Sequence, residues 1–158
     1  MAIGLEDLQV LKSAEAIADS IWKRVAGWDN FAKDVVGKQI TRSADSIGAN
    51  IAESFGRFNF GEKLQFLYYS RGSLFETKYW LNRALTRELM NADEVREYSN
   101  GLTALARQLN TFASGMKHVR AETKKSTVRE SATEYQITSP EEATDYLFSE
   151  SDLNLLNL

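Results

Sequence analysis

The sequence predicts an all-α protein: an antiparallel four-helix bundle over residues 1–120, followed by an acidic, mostly flexible C-terminal tail over residues 121–158. Three observations carry that expectation. One proline and nine glycines leave few places to break a long helix. Apolar side chains recur at alternating spacings of three and four along four separate stretches. The segments between these stretches are short and hold turn residues such as Gly27, Asp29, Gly56, Asn59 and Asn91, and short connections join antiparallel neighbours.

The first helix is expected to open near Glu6 and Asp7, whose carboxylates suit the positive end of a helix dipole, and to run to about Ala26. Val10, Ala14, Ile17, Ile21 and Val25 form its buried face. After the loop at Gly27–Asn30, a second stripe follows from Val36 through Ile40, Ala44, Ile47 and Ile51 to Phe55, and the glycine-bracketed segment Gly56-Arg57-Phe58-Asn59-Phe60-Gly61 breaks it. The third helix, about Glu62 to Glu88, is apolar on several sides. Leu64, Leu67, Leu74, Leu81 and Leu85 lie on one line, Phe66, Trp80 and Ala84 on another, and Tyr68, Phe75 and Tyr79 on a third. One bundle interior cannot bury every side, so Tyr68, Phe75 and Tyr79 are candidates for burial between chains of a homo-oligomer. Asn91 and Glu94 have capping-box spacing, and the fourth helix then carries an unbroken heptad stripe from Val95 to Val119.

From residue 121 the period disappears and Ser, Thr and Glu dominate. Within this tail, Ser139-Pro140-Glu141-Glu142 reads as an N-cap, an N1 proline and an acidic first turn, predicting a short helix near 140–148. The leucines at 153, 155, 156 and 158 follow an acidic spacer and form a motif suited to docking in a groove. The tail holds three basic and eight acidic residues, leaving sixteen basic and fourteen acidic in the body, so the body carries +2 and the tail −5.

Composition excludes several classes. Without cysteine there are no disulfides, thiolate metal sites or cysteine nucleophiles. His118 is the sole histidine, so neither a two-histidine zinc helix nor the paired Glu-x-x-His motifs of di-iron bundles can be built. No glycine-rich phosphate cradle or nucleophile elbow occurs. The expectation is a protein without enzymatic activity, cofactor or metal. The N-terminus lacks the pattern of a secretory signal and no apolar run has membrane-spanning length, which makes the cytoplasm the expected location.

A polar stripe lies beside the apolar one in the second helix: Gln39, Ser43, Ser46, Asn50 and Glu53, with Ser70, Arg71, Ser73 and Glu76 of the third helix as potential partners. It reads either as a solvated face or as a structural network of Asn50, Glu53, Arg71, Ser73 and Glu76 in which Arg71 pairs with Glu53 or Glu76. At the same residues the chain resembles a family. Ser46-Ile47-Gly48-Ala49-Asn50-Ile51-Ala52-Glu53-Ser54-Phe55-Gly56-Arg57 and Phe66-Leu67-Tyr68-Tyr69-Ser70-Arg71-Gly72-Ser73-Leu74-Phe75-Glu76 are similar to the two signature stretches of a set of bacterial four-helix-bundle proteins. That set includes proteins encoded in large-subunit ribosomal RNA intervening sequences and relatives of the accessory protein of diversity-generating retroelements. Gly48 stands where a proline is usual and Ser54 where a glycine is usual, and the acidic tail has no counterpart in the pattern.

The resemblance implies a homopentameric ring that binds nucleic acid, a reverse transcriptase or another partner without catalysis. The residues supply candidates for such contacts: Arg96, Arg107 and His118 recur every eleven positions, about three helical turns, with Lys117 beside them, and Arg83 and Arg87 form a second pair. RNA or DNA is therefore the expected ligand, with no membrane partner. The competing expectation is a protein-binding scaffold that uses the ring surface and the leucine-ended tail.

Overall fold

The computed structural model describes residues 4–128 and 146–157, with backbone alone at 125–128. Among these residues every regular element is helical. Helix α1 is Gln9–Ala26. Glu6 and Asp7 sit before it in a separate 3-10 turn, where Asp7 accepts the Gly4 N–H at 3.1 Å, so α1 starts later than its acidic residues suggested. Helix α2 spans residues 30–56 in three continuous stretches: Asn30–Ala32, a π turn at Lys33–Gly37, and Lys38–Gly56. Asp29 caps it by accepting the Ala32 N–H at 2.9 Å. The π turn brings Gly37 against α1, where a Cβ would stand 2.7 Å from Val25 Cγ1, so only glycine fits there without displacing α1.

Helix α3 is Phe60–Thr86, and its N-cap Asn59 accepts the Gly61 N–H at 2.8 Å. Its end is closed by Glu88 in the left-handed region (φ 57°), with the Leu89 N–H reaching back to the Ala84 carbonyl at 2.9 Å. Helix α4, Ala92–Val128, opens with the capping box read from the sequence: Asn91 Oδ1 accepts the Glu94 N–H at 2.9 Å and Glu94 Oε2 accepts the Asn91 N–H at 2.8 Å. Arg24 of α1 locks this corner, with its Nε 2.5 Å from Glu94 Oε1 and its Nη2 2.9 Å from the Leu89 carbonyl. The Arg24 bond, with the Asn91 N–H, holds the Glu94 carboxyl below its ordinary value. Helix α4 continues past residue 120, because the apolar period ends there while good helix formers such as Ala121, Glu122 and Lys124 carry on. Helix α5 is Glu150–Asn157.

The four long helices pack in ring order: α1 touches α2 and α4, and α3 touches α2 and α4. Ile21 of α1, Ile40, Ile47 and Ile51 of α2, Leu67, Leu74 and Leu81 of α3, and Leu102, Leu105 and Leu109 of α4 are all buried in the shared core. The predicted stripes supply this interior, as an antiparallel four-helix bundle requires.

The α2–α3 seam is crossed by hydroxyl hydrogen bonds. Thr77 Oγ1 donates to Ser43 Oγ at 3.0 Å, Ser70 Oγ to the Ile47 carbonyl at 3.0 Å, and Ser54 Oγ to the Lys63 carbonyl at 2.8 Å. Asn50 Nδ2 donates to the Ser46 carbonyl at 2.8 Å and lies 3.5 Å from Ser73 Oγ. Ser54, at a position where the resembled pattern has glycine, thus ties the start of α3 to α2.

The charged residues expected in this seam lie elsewhere. Glu53 pairs with Arg57 along its own helix, Glu76 is exposed, and Arg71 pairs with Asp152 at 3.1 Å, not with Glu53 or Glu76. The reason is angular: at 100° per residue Arg71 projects well away from Ser70 and Ser73, toward α4. There it meets the C-terminal segment. Phe148 packs on Phe75 with ring centroids 5.9 Å apart, and the Arg71 guanidinium lies 5.0 Å and 5.5 Å from these two rings. Asn110 of α4 clamps the backbone of Phe148, accepting its N–H at 2.7 Å and donating to its carbonyl at 2.9 Å. Thr103 donates to Asn157 Oδ1 at 2.9 Å, so α5 runs antiparallel to α4. Leu147, Phe148, Leu153 and Leu156 join the main core. Phe75 is therefore covered by the chain's own end, whereas Tyr68 and Tyr79 remain about half exposed. Residues 146–148 form a bend, and the rest of the short helix expected near 140–148 lies outside the described residues.

Candidate nucleic-acid interface

The cationic side chains singled out from the sequence form a stripe, not a cluster. Arg96 and Arg107 are exposed on α4 and Lys117 is half-buried farther along it. At 1.5 Å per residue Arg96 and Lys117 are separated by about 30 Å. Arg96 is engaged by Asp93 at 2.8 Å. Arg83, half-buried, and Arg87, exposed, end α3 at the same end of the bundle as Arg96. His118 is exposed, and no group of three or more metal-ligating side chains occurs among the described residues.

At the opposite end the structure assembles a cleft that the sequence did not announce. The α2–α3 turn contributes Phe58 and Phe60, α3 contributes Lys63, and the far part of α4 contributes Phe112, Met116, Val119, Arg120 and Lys124. Its volume is about 730 Å³. Arg57 leaves helical geometry with ψ 142°, and the Asn59 cap then fixes where α3 begins. Phe58, between these two constraints, is wholly solvent-exposed (102%) at the mouth of the cleft. The Arg120 guanidinium covers the Phe60 ring at 4.7 Å, and that of Arg57 covers Phe66 at 4.6 Å while also pairing with Glu53. Among the described residues the lining contains three cations and no carboxylate. A second cleft of about 780 Å³ lies at the α1–α2 corner around Trp22 and Phe31. Its described lining holds Lys33, Lys38 and Asp34, with Lys38 paired to Asp34, so its excess of positive charge is smaller than that of the first cleft.

Two features of the sequence pointed to the first cleft. The turn at 56–61 carries two phenylalanines where turns favour small polar residues. Arg120 and Lys124 flank the point where the apolar period stops, so periodicity alone placed them at the edge of a tail. Contact between segments so far apart in the chain is not a local property.

Fold and surface together define a class: an all-helical bundle with a cationic, aromatic-lined face at one end. The chain belongs to the 23S rRNA-intervening sequence protein family, whose sequence model matches residues 6–111. A crystal structure of a protein of unknown function from the S23 ribosomal protein family of Bacteroides thetaiotaomicron is similar, with 25% identity and a TM-score of 0.59 over 66% of this chain and 97% of that one. No curated protein matches the chain. Arg120, Lys124 and the docked segment at 146–157 lie outside the span matched to the family. No helix among the described residues is long and apolar enough to cross a membrane.

Proposed function

We propose that the chain is a non-catalytic, cytoplasmic RNA or ribonucleoprotein accessory factor that works as an assembly of copies, five in a closed ring, with a reverse transcriptase as one candidate protein partner. The observation that carries this reading is the cleft lined by Lys63, Arg120 and Lys124, with no carboxylate among its described residues, in a member of a family named for ribosomal RNA. A body charge of +2 holds one copy weakly on a polyphosphate, and repetition around a ring lets weak contacts act together. Arg83, Arg87, Arg96, Arg107 and Lys117 extend the contact over the outer surface. The alternative is a protein-binding scaffold using the ring surface and the leucine-ended tail, in which Leu153 and Leu156 are buried on the chain's own groove and Leu155 is exposed.

Titration of the full chain with structured RNA and duplex DNA at several salt concentrations tests the reading. Glutamine at Arg96, Arg107 and Lys117 is expected to weaken binding and to flatten its dependence on salt, each lost phosphate contact removing roughly one released counterion. Absence of salt-dependent binding at low ionic strength removes the reading. Native mass measurement reports the number of copies, and a stable monomer at micromolar concentration removes the ring.

A further inference from the structure

We infer that the Phe58 cleft is a stacking site for an unpaired base of single-stranded RNA, with Lys63, Arg120 and Lys124 holding the flanking phosphates. This rests on the RNA reading above and names the form of RNA that the site takes.

Phe58 is the largest local anomaly on the surface. Burying a phenylalanine side chain is favourable, yet this ring stands wholly in water between a backbone held extended at Arg57 and a capped helix start at Asn59. It does not fold back onto the cleft floor, where Phe112 and Met116 are half-buried. One face of a planar ring is thereby presented beside an apolar floor, inside a volume of about 730 Å³ that falls in the roughly 300–1,000 Å³ range of small-ligand sites. Every charge in the described lining is positive and its floor is apolar, which suits an anion with an apolar, planar part. A nucleotide has both.

Single-stranded RNA fits better than a duplex. In A-form RNA the bases are stacked on one another and the major groove is too deep and narrow for side chains, so an exposed phenyl ring finds no base face. Unpaired bases offer their π-faces to aromatic rings while the backbone follows cations, the arrangement of single-strand binding sites in general. The neighbouring aromatics are already engaged: Arg120 covers Phe60, and Phe66 packs edge-on against Tyr69 with centroids 5.5 Å apart. Phe112 lies half-buried in the floor, and Phe58 is the exposed ring at the mouth.

The test uses the full chain and three fluorescein-labelled probes: a short oligouridylate, an abasic oligonucleotide of equal length, and a blunt RNA duplex. F58A is expected to weaken oligouridylate binding roughly ten-fold, within the range found for base–aromatic stacking, and to leave the salt dependence unchanged. Abasic and duplex probes are expected to be insensitive to F58A. F58W retains affinity, and unlabelled oligouridylate quenches the indole fluorescence it adds to that of the three native tryptophans, with the wild type as the reference. K63Q/R120Q/K124Q flattens the salt dependence, since up to three phosphate contacts are lost. Because Phe58 is exposed, F58A leaves the fold intact.

Unchanged oligouridylate affinity in F58A overturns the inference, as does an equal loss on the abasic probe. A fall in native mass with RNA binding intact assigns the ring to a contact between copies, and binding confined to anionic lipid vesicles assigns it to a membrane surface; both overturn it. If the wild type binds RNA and only substitutions at Arg96, Arg107 and Lys117 weaken it, this site fails while the RNA reading stands. If the wild type binds no RNA probe, both fail.

Discussion

Helix α3 lies between two seams built in different ways. On the α2 side, Ser43, Ser54, Ser70 and Thr77 make neutral hydrogen bonds of 2.8–3.0 Å between helices joined by a tight turn. On the α4 side, charged side chains, Lys78 and Arg71, enter the interface, and residues 147–156 complete it from the end of the chain. Neutral hydroxyls cost little to bury when each finds a carbonyl nearby, so the first seam closes by itself. Charges need more partners: Lys78 takes Ser99 of α4, and Arg71 takes Asp152 from a segment remote in sequence.

The largest test of this contrast is Phe148. It is 1% exposed, and F148A is expected to lower stability by about 3–5 kcal/mol, read from the midpoint of urea unfolding. A cost no larger than that of a surface substitution would mean that the α3–α4 seam stands without the C-terminal segment.

Next is Lys78, which donates to Ser99 Oγ at 2.7 Å and is 6% exposed. Burial lowers its pKa from the ordinary 10.5, so the penalty for holding its charge is present below the folded-state value and fades as pH rises toward 10.5. K78M is expected to raise stability by about 2 kcal/mol at neutral pH, with Ser99 still bonded to the Val95 carbonyl at 2.8 Å. The gain is expected to shrink on titration to alkaline pH; destabilisation at neutral pH would show that the charge supports the seam.

Arg71 follows with a smaller effect, because its side chain and that of Asp152 are 33% and 22% exposed and solvent screens the pair. R71A is expected to cost about 1–2 kcal/mol through the lost ion pair and the lost contact with two rings. Burial alone would raise the Asp152 carboxyl, but the N–H and Oγ–H of Ser149, together with Arg71, hold it below the ordinary 3.8. A depressed carboxyl contributes stability above its ordinary pKa and loses that contribution as pH falls through the folded-state value. The difference between wild type and R71A should therefore narrow in acid unfolding below pH 3.8, leaving the part due to the rings. A constant difference across that range would mean that the rings, not the charge, hold the segment.

The smallest effect sharpens the other side of the comparison. T77V keeps shape while removing the bonds to Ser43 Oγ and the Ser73 carbonyl, at an expected cost of about 1 kcal/mol in thermal unfolding. A cost above that of R71A would reverse the contrast, making the hydroxyl seam the more dependent on its polar contacts.

The sequence by itself determined the four long helices, their buried faces and the capping box of α4, because apolar period and capping chemistry act over one or two turns. Asn91 with Glu94 and the stripe from Val95 to Val119 were readable for that reason. The partners of the polar residues were not. Ser43 and Asn50 were recognised as a stripe, but Arg71 meets Asp152 because helix rotation turns it away from Glu53 and because a remote segment occupies the groove. Likewise Phe58 and Arg120 share a cleft only once the α2–α3 turn and the far end of α4 are brought together. Local sequence sets which face of a helix is buried; what that face meets is decided by tertiary packing, since contacts between distant segments exist only after the chain has folded.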